Sequence, residues 1–209
     1  MFQFQDWWLP EGETHLVEYL RMRPQYQPVH RQVSLQYVRQ FRNAVDIGAH
    51  IGLWSRELSE RFGHVHAFEP VAEYAECFLR NVPRGNVTLH RYALGREAGH
   101  VAVEFAKPGS SGETFVREAP AGLPMRTLDS FELDEVDFIK IDVEGFELFV
   151  CEGALETLIH CRPVVVIEQK AHGSSYFGVP QYAARDYLVE LGASVLHQVN
   201  DDWVLGWEG

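Results

Sequence analysis

Two short segments constrain the fold of this chain more than anything else in it. "DFIKI" (137–141) and "PVVVI" (163–167) are nearly continuous apolar runs, the pattern of strands that helices cover on both faces of a parallel sheet. Three further β-rich runs precede them, "NAVDI" (43–47), "HVHAFE" (64–69) and "NVTLHRY" (86–92). Helical spacing appears between the runs: Ile51, Trp54, Leu58 and Phe62; Val71, Tyr74 and Phe78; Leu148, Cys151, Leu155 and Leu158/Ile159. Pro180 suits the first turn of a last helix that carries Tyr187, Leu188 and Leu191 and stops at Gly192. Such strand–helix alternation predicts right-handed crossovers and a doubly wound α/β sheet.

Residues 99 to 135 break that rhythm. "GHVAVEFA" and "GETFVREA", separated by "KPGSSG", read as a β-hairpin inserted on the rim of the sheet. "ASVLHQV" and "DDWVLGW", joined by "ND", read as a closing antiparallel pair. We therefore expect an N-terminal helical or flap extension over 1–40 and a main domain over 41–209. At 209 residues, 46% apolar and 23% charged, the chain has the size and composition of one soluble domain with such an extension.

Charge and leader signals narrow the function classes. The net charge of -12 argues against a broad nucleic-acid surface, because phosphate binding relies on Lys and Arg. Residues 1–42 nevertheless hold five Arg against four acids, so a basic substrate flap, a solvated helix end or a contact between copies of the chain are the readings for "RMRPQYQPVHRQ". No apolar run reaches the roughly 20 residues that span a bilayer. "MFQFQDWWLPEGE" lacks the basic-then-apolar pattern of a secretory leader. Cys77, Cys151 and Cys161 form no CxxC pair. Reduced structural thiols in a cytoplasmic protein are the expectation, with no membrane partner.

In open α/β sheets, ligands bind beyond the carboxyl ends of the strands, which directs attention to "DIGAHIG" (46–52). A dinucleotide loop reads GxGxxG, but here the order is Asp46-x-Gly48-x-His50-x-Gly52. The middle glycine is absent and a carboxylate opens the motif, which opposes a diphosphate and favours a cation. Glu69 follows 23 residues after Asp46, near the roughly 20-residue spacing of an acid that accepts ribose hydroxyls. A ligand with a ribose at one end and positive charge at the other fits both acids. S-adenosylmethionine, which has a sulfonium and an ammonium and no phosphate, has that form. The competing structural readings are a plain strand-to-helix turn for the glycines and a helix cap for Glu69.

"FIKIDVEGFE" (138–147) adds a second acidic group, with Asp142 at a strand end, then Glu144 and Glu147. Glu147 suits the first turn of the next helix. Glu168 ends the following strand, and His172 lies in the loop after it. Transfer of a methyl group to oxygen calls for a base to take the hydroxyl proton; Glu144, Glu168 and His172 are the candidates. A divalent metal held by Asp142, Glu168 and His172 is chemically feasible with such hard ligands, although no metal-specific spacing supports it.

Together, "VDIGAHIGLWS", "VHAFEPV", "YALG", "VDFIKIDVEGFELFVCEGA" and "RPVVVIEQ" resemble, in that order, the FkbM family of S-adenosylmethionine-dependent methyltransferases. The resemblance implies a Rossmann-like class I methyltransferase fold: a mostly parallel seven-stranded sheet with an antiparallel last strand and helices on both faces. It implies O-methylation of a sugar or small natural-product-like hydroxyl. It places Asp46, Gly48 and Gly52 at the methionine end of the cofactor and Glu69 at the ribose, with His50 and Pro70 also among the cofactor-binding residues. Tyr92, Ala93 and Leu94 fall near the adenine, and Asp142 and Glu144 face the transferred methyl. The family loop usually reads DxGANxG, and here His50 replaces the asparagine. Histidine keeps one hydrogen-bond donor and introduces pH sensitivity. Rival readings are an NAD-dependent oxidoreductase or epimerase, weakened by the missing glycine and by the lack of a Tyr-x-x-x-Lys pair, and a catalytically silent cofactor-binding assembly protein. Nucleic-acid methylation is disfavoured by the charge.

Overall fold

The computed structural model describes residues 1–23, 25–105, 109–170 and 175–207. Its centre is a seven-stranded sheet built from β3 (Asn43–Ile47), β4 (His64–Phe68), β5 (Val87–His90), β10 (Val136–Ile141), β11 (Val164–Glu168), β12 (Ser194–Val199) and β13 (Asp202–Gly206). The strand order is β12-β13-β11-β10-β3-β4-β5. β3, β4, β5, β10 and β11 pair in parallel, while β13 runs antiparallel to both its neighbours.

Alternation across the sheet explains the apolar runs. Val45, Ile47, Ile139, Ile141, Val165 and Ile167 face one hydrophobic cluster, and Ala44, Phe138, Val164 and Val166 face another. Helices α5 (Glu147–Glu152), α6 (Leu155–Cys161) and α7 (Ala183–Glu190) cover the first face with Val150, Leu158 and Leu188. Helices α2 (Pro28–Leu35) and α3 (Leu53–Leu58) cover the second with Leu35, Trp54 and Leu58. Each side chain buried this way contributes roughly 1.5–3 kcal/mol of transfer free energy. A strand with water on one face would have lost half of that and would read as alternating.

Four local features differ from the sequence reading. The helical spacing over 148–159 is split into α5 and α6 at Gly153 and Ala154, because Gly153 packs against the backbone of Gly95: a β-carbon there would lie 2.0 Å from the Gly95 carbonyl oxygen. Pro180 lies three residues before α7, its carbonyl accepting the amide of Ala183 at 3.1 Å. β7 (Gly99–Phe105) and β8 (Thr114–Ala119) pair antiparallel, but β9 (Leu123–Arg126) pairs with β7 as well and bridges to β6 (Ala93–Leu94). The result is a four-stranded second sheet in the order β6-β9-β7-β8. "FQFQDWWL" forms a hairpin of β1 (Phe2–Phe4) and β2 (Trp7–Leu9). It and α1 (His15–Met22) pack Leu9 and Leu16 on Ile51, Leu53 and Cys77.

Asn81, the last residue of α4 (Ala72–Asn81), holds that hairpin down. It is buried, accepts the Trp8 amide at 2.7 Å and donates to the carbonyls of Trp8 and Ile51 at 3.0 and 2.9 Å. No helix among the described residues is long and apolar enough to cross a membrane.

Candidate active site

The carboxyl ends of β3, β4, β10 and β11 converge on a cavity of about 340 Å³. On leaving β3 the chain turns through three left-handed residues, Gly48 (φ +77°), His50 (φ +52°) and Gly52 (φ +93°). Non-glycine residues rarely adopt this conformation, and His is among the few types enriched there, together with Asn and Asp. His50 is thus a residue type compatible with the left-handed backbone that this loop adopts. The amides of Gly48 and Ala49 both donate to the Phe68 carbonyl, at 3.1 and 3.0 Å, which ties the turn to the end of β4.

Asp46 is buried; its Oδ2 accepts the Ser55 hydroxyl at 2.6 Å, while Oδ1 is buried without a partner. Burial raises its pKa, with Lys140, its register partner on β10, and Ser55 opposing the rise. Glu69 is also buried, one oxygen accepting the amide of His50 at 2.9 Å and the other that of Val71 at 2.7 Å. Burial pushes its pKa up to about 7 against those two bonds. Each oxygen keeps a second lone pair for a ligand.

The second acidic group gathers as its spacing implied. One oxygen each from Asp142, Glu144 and Glu168 lies within 4.8 Å of the others. Glu144 adopts a left-handed conformation (φ +54°) followed by Gly145 (φ +108°). Backbone strain of this kind persists where the surrounding structure enforces it. Two lysines offset part of the charge. Lys140 Nζ donates to Asp142 at 3.0 Å; Lys170 Nζ donates to Glu144 at 2.7 Å and lies 3.3 Å from Glu168. Burial alone would raise Asp142, but Lys140 and Lys170 hold it well below the usual carboxylate range. Burial, then the Asp142 charge, raises both Glu144, to about 7, and Glu168, which hydrogen-bonds Asp142. The carboxylates are close enough to share a hard cation, yet the ammonium groups already in contact compensate them from within the chain.

Asp46, Gly48, His50, Glu69, Pro70, Tyr92, Ala93, Leu94, Asp142, Glu144 and Glu168 all line the cavity. Gly52 does not. It sits behind the loop, where a β-carbon would come within 2.4 Å of Val82 and 3.1 Å of Phe78. His172 lies outside the described residues. Glu147 begins α5 and accepts the amides of Gly145 and Val143 at 2.9 and 3.4 Å, as its place in the first turn suggested.

Sequence reasoning missed Lys140, Lys170, Tyr26 and the wall formed by His15, Leu16 and residues 110–113. A signal existed for Lys140, a cation inside the mostly apolar run 138–141. None existed for Tyr26, whose ring reaches the cavity from the segment between α1 and α2.

The sequence pattern that defines the methyltransferase FkbM domain matches residues 46–195. The hexuronic acid methyltransferase AglP of Haloferax volcanii is 28% identical over 129 residues, 58% of this chain and 53% of that protein. The chain thus spans about half the length of that curated relative. The crystal structure of methyltransferase FkbM from Methylobacillus flagellatus KT aligns over 85% of this chain and 49% of that one, with a TM-score of 0.56 at 19% identity. Precorrin-6y C5,15-methyltransferase of Geobacter metallireducens GS-15 aligns over 85% and 88% with a TM-score of 0.51 at 16% identity. At these identities the two structures speak for the fold, a Rossmann-like methyltransferase sheet. The pattern match extends over well more than half of the chain, and with it the protein belongs to the methyltransferase FkbM domain family.

Proposed function

We propose that the protein transfers a methyl group from S-adenosylmethionine to an oxygen of a sugar or similarly small acceptor. The observation that carries this reading is the cavity itself, a nucleoside-sized space between a phosphate-averse glycine loop and three gathered carboxylates. The residues fit such a cofactor. Asp46 keeps a buried, unpartnered oxygen at the loop, the Gly48 turn brings the backbone close to the ligand space, and the acid excess suits a cation. Asp46 and the loop would receive the methionine end, Glu69 the ribose hydroxyls, and Tyr92–Leu94 would border the adenine.

When bound, the cofactor supplies an electrophilic methyl on its sulfonium. Glu144 would take the acceptor's hydroxyl proton, since a base ionising near 7 is matched to that task. Lys170 orients Glu144, and Glu168, held neutral, keeps Asp142 in place through their hydrogen bond. Alignment of acceptor and methyl does the remaining work. A carbohydrate acceptor is supported by the hexuronic acid methyltransferase relative. A cytoplasmic location is supported by the three free thiols, Cys77 and Cys151 buried among them.

Calorimetry with S-adenosylhomocysteine, followed by methyl transfer to uronic acid and neutral sugar glycosides, tests the reading. Binding of the homocysteine product and transfer to a sugar oxygen are expected. Stabilisation by NAD with no response to S-adenosylhomocysteine would replace it with the oxidoreductase reading.

A further inference from the structure

Residues 10–16 and 109–114 are far apart in sequence and meet at one wall of the cavity. The amides of Thr14 and His15 donate to the Gly109 carbonyl at 3.0 and 3.1 Å, and the Thr14 hydroxyl donates to the same oxygen at 3.1 Å. Glu13 joins the two stretches. It is buried, and its carboxylate accepts the Leu16 amide at 2.8 Å, the Ser111 amide at 2.7 Å and the Ser111 hydroxyl.

Ser111 Oγ also lies 2.8 Å from Nε2 of His50, in the glycine loop that lines the same cavity. The direction of the chain follows from donor bookkeeping. A carboxylate only accepts, so the Ser111 hydroxyl proton is spent on Glu13, and Ser111 Oγ must accept from His50 Nε2–H. Burial keeps the ring neutral, lowering His50 to about 4 although Glu13 and Asp142 pull the other way, and the bond to Ser111 then sets which nitrogen holds the proton. The ring is fixed from a second side by an edge contact with Tyr74 at 4.6 Å, and the Tyr74 hydroxyl shares a 2.8 Å hydrogen bond with Thr114. The asparagine usual in the family loop has a shorter side chain. At position 50 the histidine spans from the loop to the wall.

We propose that Glu13, Ser111 and His50 are positioning residues that clasp the wall formed by 10–16 and 109–114 onto the glycine loop and thereby retain the cofactor. This rests on the cofactor reading above. A ligand held by the loop leaves only after the His50–Ser111 bond opens, so the clasp acts on the dissociation rate. Ligand capture requires the same opening, which places the wall's movement on the path of cofactor exchange.

Two measurements on the full chain test this. In hydrogen exchange of the ligand-free protein, the amides of residues 14–16 and 111 should exchange at least about tenfold faster in S111A and H50N than in wild type, and S111T should restore protection. In stopped-flow displacement, S-adenosylhomocysteine should leave S111A and H50N at least about tenfold faster, with S111T again close to wild type. Unchanged exchange at these amides, or dissociation within about twofold of wild type from both variants, overturns the clasp. Failure of the wild type to bind S-adenosylhomocysteine overturns the cofactor reading instead, and the exchange result then decides the clasp alone.

Discussion

The carbonyl oxygen of Asp142 occupies the space that a side chain on Gly48 would need: a β-carbon there would lie 1.9 Å from it. The loops after β3 and β10 therefore touch backbone to backbone, and that contact brings the two acidic groups of the sequence to one cavity. The Asp142 amide also donates to the Ile47 carbonyl at 3.1 Å, so the neighbouring strands stay paired to their very ends.

G48A should break this contact. The left-handed backbone costs an alanine roughly 1–2 kcal/mol, and the overlap with a carbonyl cannot be relieved by turning a side chain. We expect a fall in melting temperature on the order of 10 °C and at least about tenfold weaker S-adenosylhomocysteine binding. G85A is the control, because nothing lies within 4 Å of a β-carbon there. Equal melting of the two variants would refute the argument.

Burial and the Asp142 charge push Glu144 up to about 7, and the base proposed above must be deprotonated to act. Methyl transfer by the wild type should therefore rise as pH increases through about 7. E144Q should lose that limb and roughly 10²–10⁴-fold in turnover, while its affinity for S-adenosylhomocysteine changes less than about threefold. Rate profiles for both proteins decide the matter; a pH limb surviving in E144Q would assign the base elsewhere.

His50 has a folded-state pKa below its ordinary value, because burial disfavours the charged ring. The stability it contributes as a neutral ring is fully present above about 6.5 and is lost as pH falls through the folded value near 4. Glu69 and Glu147, both raised to about 7, act in the opposite sense, gaining stability as pH falls through that range. The difference between wild type and H50N isolates the histidine. Thermal melts at neutral and mildly acidic pH should show a smaller acid-induced loss in H50N than in wild type.

N81A removes three hydrogen bonds that fasten β2 to α4 and to the glycine loop. It leaves the Trp8 amide and the Ile51 carbonyl without these partners, at a cost of about 1–3 kcal/mol for a buried group. A drop in melting temperature of roughly 4–8 °C is expected, with earlier proteolytic cleavage in residues 1–9. A melt unchanged from wild type would show that the hairpin is held by its apolar contacts alone.

The apolar runs at 137–141 and 163–167 disclosed the parallel sheet because a strand buried on both faces leaves no polar alternation, and that is a local property of sequence. That the acids at 46, 69, 142, 144 and 168 would line one cavity was legible for a related reason: they follow apolar runs, and strand ends in an open α/β sheet share one edge. The break at Gly153, the third strand at 123–126 and the late start of α7 were not legible. Each depends on which backbone lies across from it, as with Gly153 against Gly95. The same holds for the chemistry of the site. The motif positions pointed to three crowded carboxylates, whereas the fold brought Lys170 to them beside Lys140 and set their ionisation. His50 shows the division in one residue. From sequence it was a departure from the family loop. Its neutral ring comes from burial and its bond to Ser111 from a contact across 61 positions of chain, and no local pattern encodes a partner that distant.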